Sequence, residues 1–319
     1  MAVRWSGQKR VSVGGDWPYP SGEQWSISSG DHRATLVQLG GGVRSYEFGG
    51  EALLAGYSEH QLPPAAAGQV LAPWPDRLAG GDYNFRGDSF SLPHSEPELH
   101  NAIHGLSRWL PWQCSQRRDD AVTLSCLLAP QPGYPWPLKL STMWHVSSDG
   151  LRATHVVTNV GDKPCPFGLG AHPYVGVPGV RLDGLMLQLP VTWRLLVDEQ
   201  KRPISRVQVA ETEYDFRSLT PVAELALDTT FTGVRHGADG IARSRLALPD
   251  GSRGVEVWQD SAFGWLQVYT GAGVTGRSGE VVAIEPMTCP PDAFNSRESL
   301  IVLQPGQRWT GSWGIRPHR

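Results

Sequence analysis

Apolar residues in this chain alternate with polar ones or fall in short runs, and nowhere do they recur at i, i+3, i+4 and i+7 over three turns. That pattern rules out amphipathic helices of ordinary length and commits the chain to strands, whose side chains point to opposite faces with a period of two. Trp25-Ser-Ile-Ser, Ala34-Thr-Leu-Val-Gln-Leu and Val43-Arg-Ser-Tyr-Glu-Phe follow one another across Gly30-Asp31 and Gly40-Gly41-Gly42, which predicts an antiparallel meander. The pattern returns over 121–128, 138–146, 151–157, 185–189, 255–258, 265–269 and 300–303. Turn signals such as Ser148-Asp149-Gly150 and Pro249-Asp250-Gly251 stand between these runs, so an all-β sandwich follows.

Residues 1–23, with Gly14-Gly15, Pro18 and Pro20, lack this period and read as an N-terminal extension. From Gln24 to the end the strand-like text keeps one composition with no linker-like break, so residues 24–319 read as a single β-sandwich domain. A net charge of −3 with only 18% charged residues leaves no basic patch for nucleic acid. No apolar window reaches membrane-spanning length, and Arg4, Lys9, Arg10 and Asp16 interrupt the start before any signal-peptide run can form. The expectation is a soluble, cytoplasmic protein. Cys114, Cys126, Cys165 and Cys289 show no CxxC spacing in a chain long enough to build a core without staples, and are expected to be free thiols.

Irregular segments interrupt the strands at 63–100, 131–137, 170–180 and 286–297, and loops on a rigid sheet are where binding and catalytic groups collect. His172 is followed by Pro173, which disfavours helical backbone at the histidine, and preceded by Gly168-Leu-Gly-Ala171, which lets the chain pass close to a neighbour. An imidazole on stiff, extended backbone suits proton transfer near neutral pH. Glu285 also precedes a proline and follows Val281-Val-Ala-Ile284, which predicts a part-buried carboxylate. His104 sits beside Gly105, and Arg77 follows the stiffened Pro73-Trp74-Pro75-Asp76.

Pro-Trp-Pro-Asp-Arg at 73–77, Asn-Ala-Ile-His-Gly at 101–105, His-Pro-Tyr at 172–174, Leu-Asp-Thr-Thr-Phe at 227–231, Leu-Gln-Val-Tyr-Thr at 266–270 and Glu-Pro-Met-Thr at 285–288 together resemble the aldose 1-epimerase, or galactose mutarotase, family. They come in that family's order and cover the chain from about residue 24 to 315. The resemblance implies a β-supersandwich with an open sugar cleft, and cofactor-free interconversion of the α and β anomers of an aldose. It implies Glu285 as base, His172 as acid, and His104 beside the ring oxygen. It further implies Arg77, Asp228 and Gln267 on the sugar hydroxyls, with Trp74 and Tyr174 offering aromatic faces. The family mostly carries Asn where this chain has Asp76. An ionised aspartate accepts hydrogen bonds but cannot donate, so Asp76 is expected to shift sugar preference, and Asp76→Asn to leave stability nearly unchanged.

Two other readings remain open. A carbohydrate-binding β-sandwich would use Arg77, Asp228 and aromatic rings but needs neither acid nor base. A metal hydrolase built on His104, His172 and Glu285 would need a close ligand spacing such as HExxH, which the sequence lacks. Within the epimerase reading the sugar stays open: a free, sulfonated or otherwise modified, or phosphorylated hexose.

Overall fold

The computed structural model describes residues 18–222, 226–271 and 279–319. The proposed extension therefore lies mostly outside the described residues, and the first strand begins at Gln24. Two large antiparallel sheets carry the fold. The larger runs in spatial order Gln24–Ser29, His32–Val37, Val43–Phe48, Glu51–Leu54, Tyr174–Val175, Val282–Met287, Trp265–Tyr269, Asp228–Thr232, Trp193–Val197, Pro203–Gln208, with Val70–Leu71 and Gly170–Ala171 paired on beside this path. The second runs Gln113–Arg117, Ala121–Leu128, Leu138–Ser147, Gly150–Asn159, Arg308–His318, Gly254–Asp260, Ile241–Ala247, Met186–Gln188, Thr220–Pro221. Among the described residues, helix is confined to short 3-10 turns and the single turn Ala293–Ser296. None is long and apolar enough to cross a membrane.

The period-two pattern explains how one strand serves two purposes. In Val282–Met287, Val282 and Ile284 point into the core that also takes Leu266, Val268 and Phe231 from the neighbouring strands. Ala283 and Glu285, offset by one residue, point to the other face of the same sheet. Trp144, Trp313, Trp112 and Phe263 fill the sandwich at full burial. Burying large aromatic surface of this kind is the main favourable term holding two sheets together.

The sequence pattern misses some strands for a physical reason. Arg308–His318 is the partner of both Gly150–Asn159 and Gly254–Asp260, yet it contains Gly311, Gly314 and Pro317. A Cβ on Gly314 would lie 2.3 Å from the Leu151 carbonyl oxygen, so the glycine there serves close backbone approach rather than a turn. Gln113–Arg117 is exposed throughout and so shows no alternation. The segment expected to be irregular from Pro286 starts later, because Pro286 still pairs with Leu266 inside the sheet.

Candidate active site

Register across three strands sets the floor of the site. Thr230 pairs with Gln267 and Gln267 with Glu285, while Asp228 pairs with Tyr269, Tyr269 with Ala283 and Ala283 with Tyr174. These two adjacent rows therefore present Gln267, Glu285, Asp228, Tyr269 and Tyr174 on one face. A cleft of about 400 Å³ opens over that face, and His172, His104, Asp76 and Arg77 reach it from the flanking segments. Every residue singled out from the sequence as a site candidate lines this one cleft, except Trp74.

His172 is carried between the short strands Gly170–Ala171 and Tyr174–Val175. The small residues before it do what the sequence suggested: the Gly168 N–H donates to the Pro73 carbonyl at 2.6 Å, and a Cβ on Gly170 would meet Pro75 at 2.7 Å. This brings the Pro73–Arg77 segment against the histidine. His172 Nε2 lies 3.4 Å from Glu285 Oε1, with His172 5% exposed and Glu285 1% exposed. Glu285 Oε2 is buried without a hydrogen-bond partner among the described residues. Burial pushes the His172 imidazole down to about 3, and burial, reinforced by the charges of Asp76 and Asp228, holds the Glu285 carboxyl well above the usual carboxylate range. Both shifts favour the uncharged form of each group.

His104 and Gly105 both take left-handed backbone, at φ of 63° and 67°, and a Cβ on Gly105 would lie 2.2 Å from the Ala72 carbonyl oxygen. Only glycine fits there, and the tight passage sets His104 at right angles to His172, with ring centroids 5.2 Å apart. The Asp76 N–H donates to His104 Nδ1 at 3.2 Å, so the proton of the neutral ring sits on Nε2. Burial, followed by the neighbouring His172, Arg108 and Arg77, keeps that ring neutral by lowering its pKa well below the ordinary value.

Asp76 does not point into solvent: it is 2% exposed, at a φ of 53° that Asp and Asn tolerate, and its Oδ1 accepts the Arg77 N–H at 2.6 Å. Burial outweighs the attraction of Arg77 and raises its pKa to about 6. The Arg77 guanidinium forks onto Glu96 at 2.9 and 3.0 Å and approaches Asp76 at 3.6 Å and Asp228 at 3.7 Å. Burial opposes its charge, but these carboxylates outweigh burial and hold it above its ordinary value. Asp228 also takes Lys201 Nζ at 3.0 Å and the Gln267 amide at 2.8 Å, and Gln267 Oε1 accepts from Thr230 at 2.6 Å.

Trp74 is the correction. It is buried in the core with its edge against Phe294, and its indole N–H donates to the Ala102 carbonyl, so it offers no face to the cleft. The Tyr174 ring lines the cleft but stacks on the His172 imidazole at 4.8 Å. Tyr269, Glu96 and Arg108 also line the cleft and were not singled out. Tyr269 was within reach of the sequence, since it lies two residues after Gln267 on an alternating strand. Glu96 and Arg108 stand in irregular stretches where no period marks them.

A model of the aldose 1-epimerase family matches residues 23–316. The chain belongs to the aldose 1-epimerase family. It is 33% identical over 300 residues to uncharacterized protein YihR of Escherichia coli K12, covering 94% of this chain and 92% of that one. Its fold is similar to that of a galactose mutarotase-like protein from Clostridium acetobutylicum, at a TM-score of 0.82 and 16% identity, over 93% of this chain and 95% of that one. A GalM/aldose epimerase homologue from C. elegans gives a TM-score of 0.80 at 19% identity, over 93% and 99%. The β-sandwich expected from the sequence is thus the mutarotase-like fold, and family and fold together support a mutarotase-like function acting on a sugar.

Proposed function

We propose that the protein is a cofactor-independent aldose 1-epimerase that interconverts the α and β anomers of a hexose by general acid–base ring opening and reclosure, with residues 24–319 acting as one domain. The observation that carries this reading is the buried Glu285–His172 contact at 3.4 Å on the floor of a polar cleft. Anomer exchange needs a proton to leave the anomeric hydroxyl while another arrives at the ring oxygen. Glu285 takes the first and His172 gives the second, so the C1–O5 bond opens and the aldehyde forms. After rotation about C1–C2, Glu285 returns its proton to the carbonyl oxygen and His172 recovers its own as O5 attacks the other face. The pair ends each turnover with the one proton it began with.

The ion-pair form needed to start differs from the neutral form only by one proton moved between Oε1 and Nε2. A substrate hydroxyl donating to the unpartnered Glu285 Oε2 favours the carboxylate and so the ion pair. His104, donating from Nε2, stabilises charge developing at the ring oxygen. Arg77 donates to sugar hydroxyls, Asp228 accepts from them, and Gln267 keeps a second N–H and a second lone pair for adjacent ones. A binding module would have use for Arg77 and Asp228, but burying a carboxylate against an imidazole is costly and serves no binding purpose. Polarimetry of freshly dissolved α-glucose and α-galactose, with no added metal, nucleotide or redox cofactor, tests the reading. Faster equilibration is expected. Unchanged traces across a panel of neutral, acidic and phosphorylated hexoses would remove it, and loss of rate with chelator would favour a metal enzyme.

A further inference from the structure

Asn101 lies buried behind the cleft wall, 1% exposed, where the scheme above gives it no work. Its side-chain amide nitrogen donates to Glu96 Oε2 at 3.3 Å and to the Gln200 carbonyl at 2.9 Å. Both partner atoms only accept, so the NH2 end of the amide has to face them. Oδ1 is left buried without a hydrogen-bond partner among the described residues. An orphaned acceptor costs stability, and a side chain kept there for packing alone would do better apolar.

Each of the two contacts leads to the cleft. Glu96 is the carboxylate onto which the Arg77 guanidinium forks, and Arg77 approaches Asp228 at 3.7 Å. Gln200 belongs to the turn that joins Trp193–Val197 to Pro203–Gln208, the edge strand of the larger sheet. Lys201 takes left-handed backbone on that turn, at a φ of 63°, and sets its Nζ 3.0 Å from Asp228 Oδ2. Asp198 closes the turn on itself, accepting the Gln200 and Arg202 N–H groups at 2.9 Å each. The shape of the turn is thus fixed from within, while Asn101 ties it to the wall that carries Arg77 and His104.

We infer that Asn101 is a positioning residue for the hydroxyl-binding end of the cleft, orienting Arg77 through Glu96 and Lys201 through the Gln200 carbonyl, so that two cations hold the Asp228 carboxylate in place. This rests on the epimerase reading and deepens it. Asn101 and Glu96 already exchange two backbone hydrogen bonds, at 3.0 and 3.2 Å, so the segments meet without the side chain. What the amide adds is the orientation of Glu96 and the seat of the turn. In the proposed scheme Arg77 and Asp228 serve hydroxyls away from the bond that opens. Such contacts are alike in ground and transition state, so their loss raises KM and spares kcat.

Exchange NMR on glucose and galactose with wild type, Asn101→Leu, Lys201→Met and the double variant tests it. Asn101→Leu should raise KM roughly 10-fold, with kcat and the pH limits of kcat nearly unmoved. Lys201→Met should give a smaller rise, since only one of the two arms is lost. The double variant should rise by clearly less than the product of the two, because the first substitution has already released Lys201. An unchanged KM in Asn101→Leu, a fall in kcat at constant KM, or effects that multiply in full would overturn the inference. Should Asn101→Leu fail to fold, Asn101→Ser, which also deletes the amide, takes its place in the same cycle. Acceleration by the wild type with KM untouched in the variants sinks only this inference, whereas no acceleration of any sugar sinks the epimerase reading with it.

Discussion

Asp76 and His104 exchange two hydrogen bonds: the Asp76 N–H donates to His104 Nδ1 at 3.2 Å, and the His104 N–H donates to the Asp76 carbonyl at 2.9 Å. The exchange locks two irregular segments together and fixes the tautomer of a buried imidazole. It also places the Asp76 carboxylate where its charge bears on Glu285. Geometry and electrostatics are therefore coupled, which makes the consequences measurable.

Glu285→Gln keeps hydrogen bonding but cannot take a proton, and His172→Asn cannot give one. Each should lose ~10²–10⁴-fold in kcat while sugar binding survives. Combining them should cost little more than the worse of the two, since they serve one proton circuit. Exchange NMR with a parallel titration of sugar binding checks both, and near-wild-type exchange in Glu285→Gln would show that the base has been misassigned.

The pair is active with one proton, so the rate should fall when it gains a second or loses its last. With His172 pushed down to about 3 and Glu285 pushed up, the plateau of kcat/KM should span neutral pH more broadly than an ordinary glutamate and histidine would allow. Stability should behave differently. His104, His155 and His172 are buried and neutral, with pKa values lowered from 6.5, so the unfolded chain binds more protons below that value. Stability from these groups is present above pH 6.5 and lost as pH falls below it. Asp76 and Glu285, whose pKa values are raised on folding, act in the opposite sense over the same range, so the histidine share is read by difference: a His155→Gln variant whose denaturant midpoint falls as steeply as that of the wild type between pH 7 and 5 would contradict it.

Asp76→Asn should be more than a change of sugar preference. The sequence-based expectation of unchanged stability did not include burial of the carboxyl, and burial argues for a change. A carboxyl whose pKa rises from 3.8 to about 6 on folding costs stability once it ionises. That cost is absent below pH 3.8, grows between the two values and is complete above about 6. The substitution should therefore stabilise the fold by ~1–3 kcal/mol at pH 8, with the gain vanishing toward pH 4. It should also move the alkaline limb of the rate profile to lower pH, because one of the charges raising Glu285 is gone. An unmoved limb would show that Asp76 does not act on the base.

Cys114 is exposed, while Cys165 and Cys289 are buried and burial pushes them up to about 11 and about 12. One thiol should react promptly with a disulfide reagent in the native protein, and all four after denaturation. A count of two after denaturation would reveal a bridge.

What the sequence determined by itself is local. Alternation around Val282–Met287 and Trp265–Tyr269 specifies strands and their two faces, because the period of two is a property of the extended backbone. The His172-Pro173 and Glu285-Pro286 pairs mark stiff mounts for titratable groups, and the ordered motifs mark the family. Only the tertiary structure decided what meets what. Register, which a one-residue slip would reverse, sets Thr230, Gln267 and Glu285 in one row. Close packing turned Trp74 into the core and Asp76 away from solvent, a choice that no period in an irregular segment encodes. Glu96 acquires meaning only from the pairing that distant segments bring. A charge in a sequence carries no record of its partner, and it is the partner, together with the water excluded around both, that sets its energy.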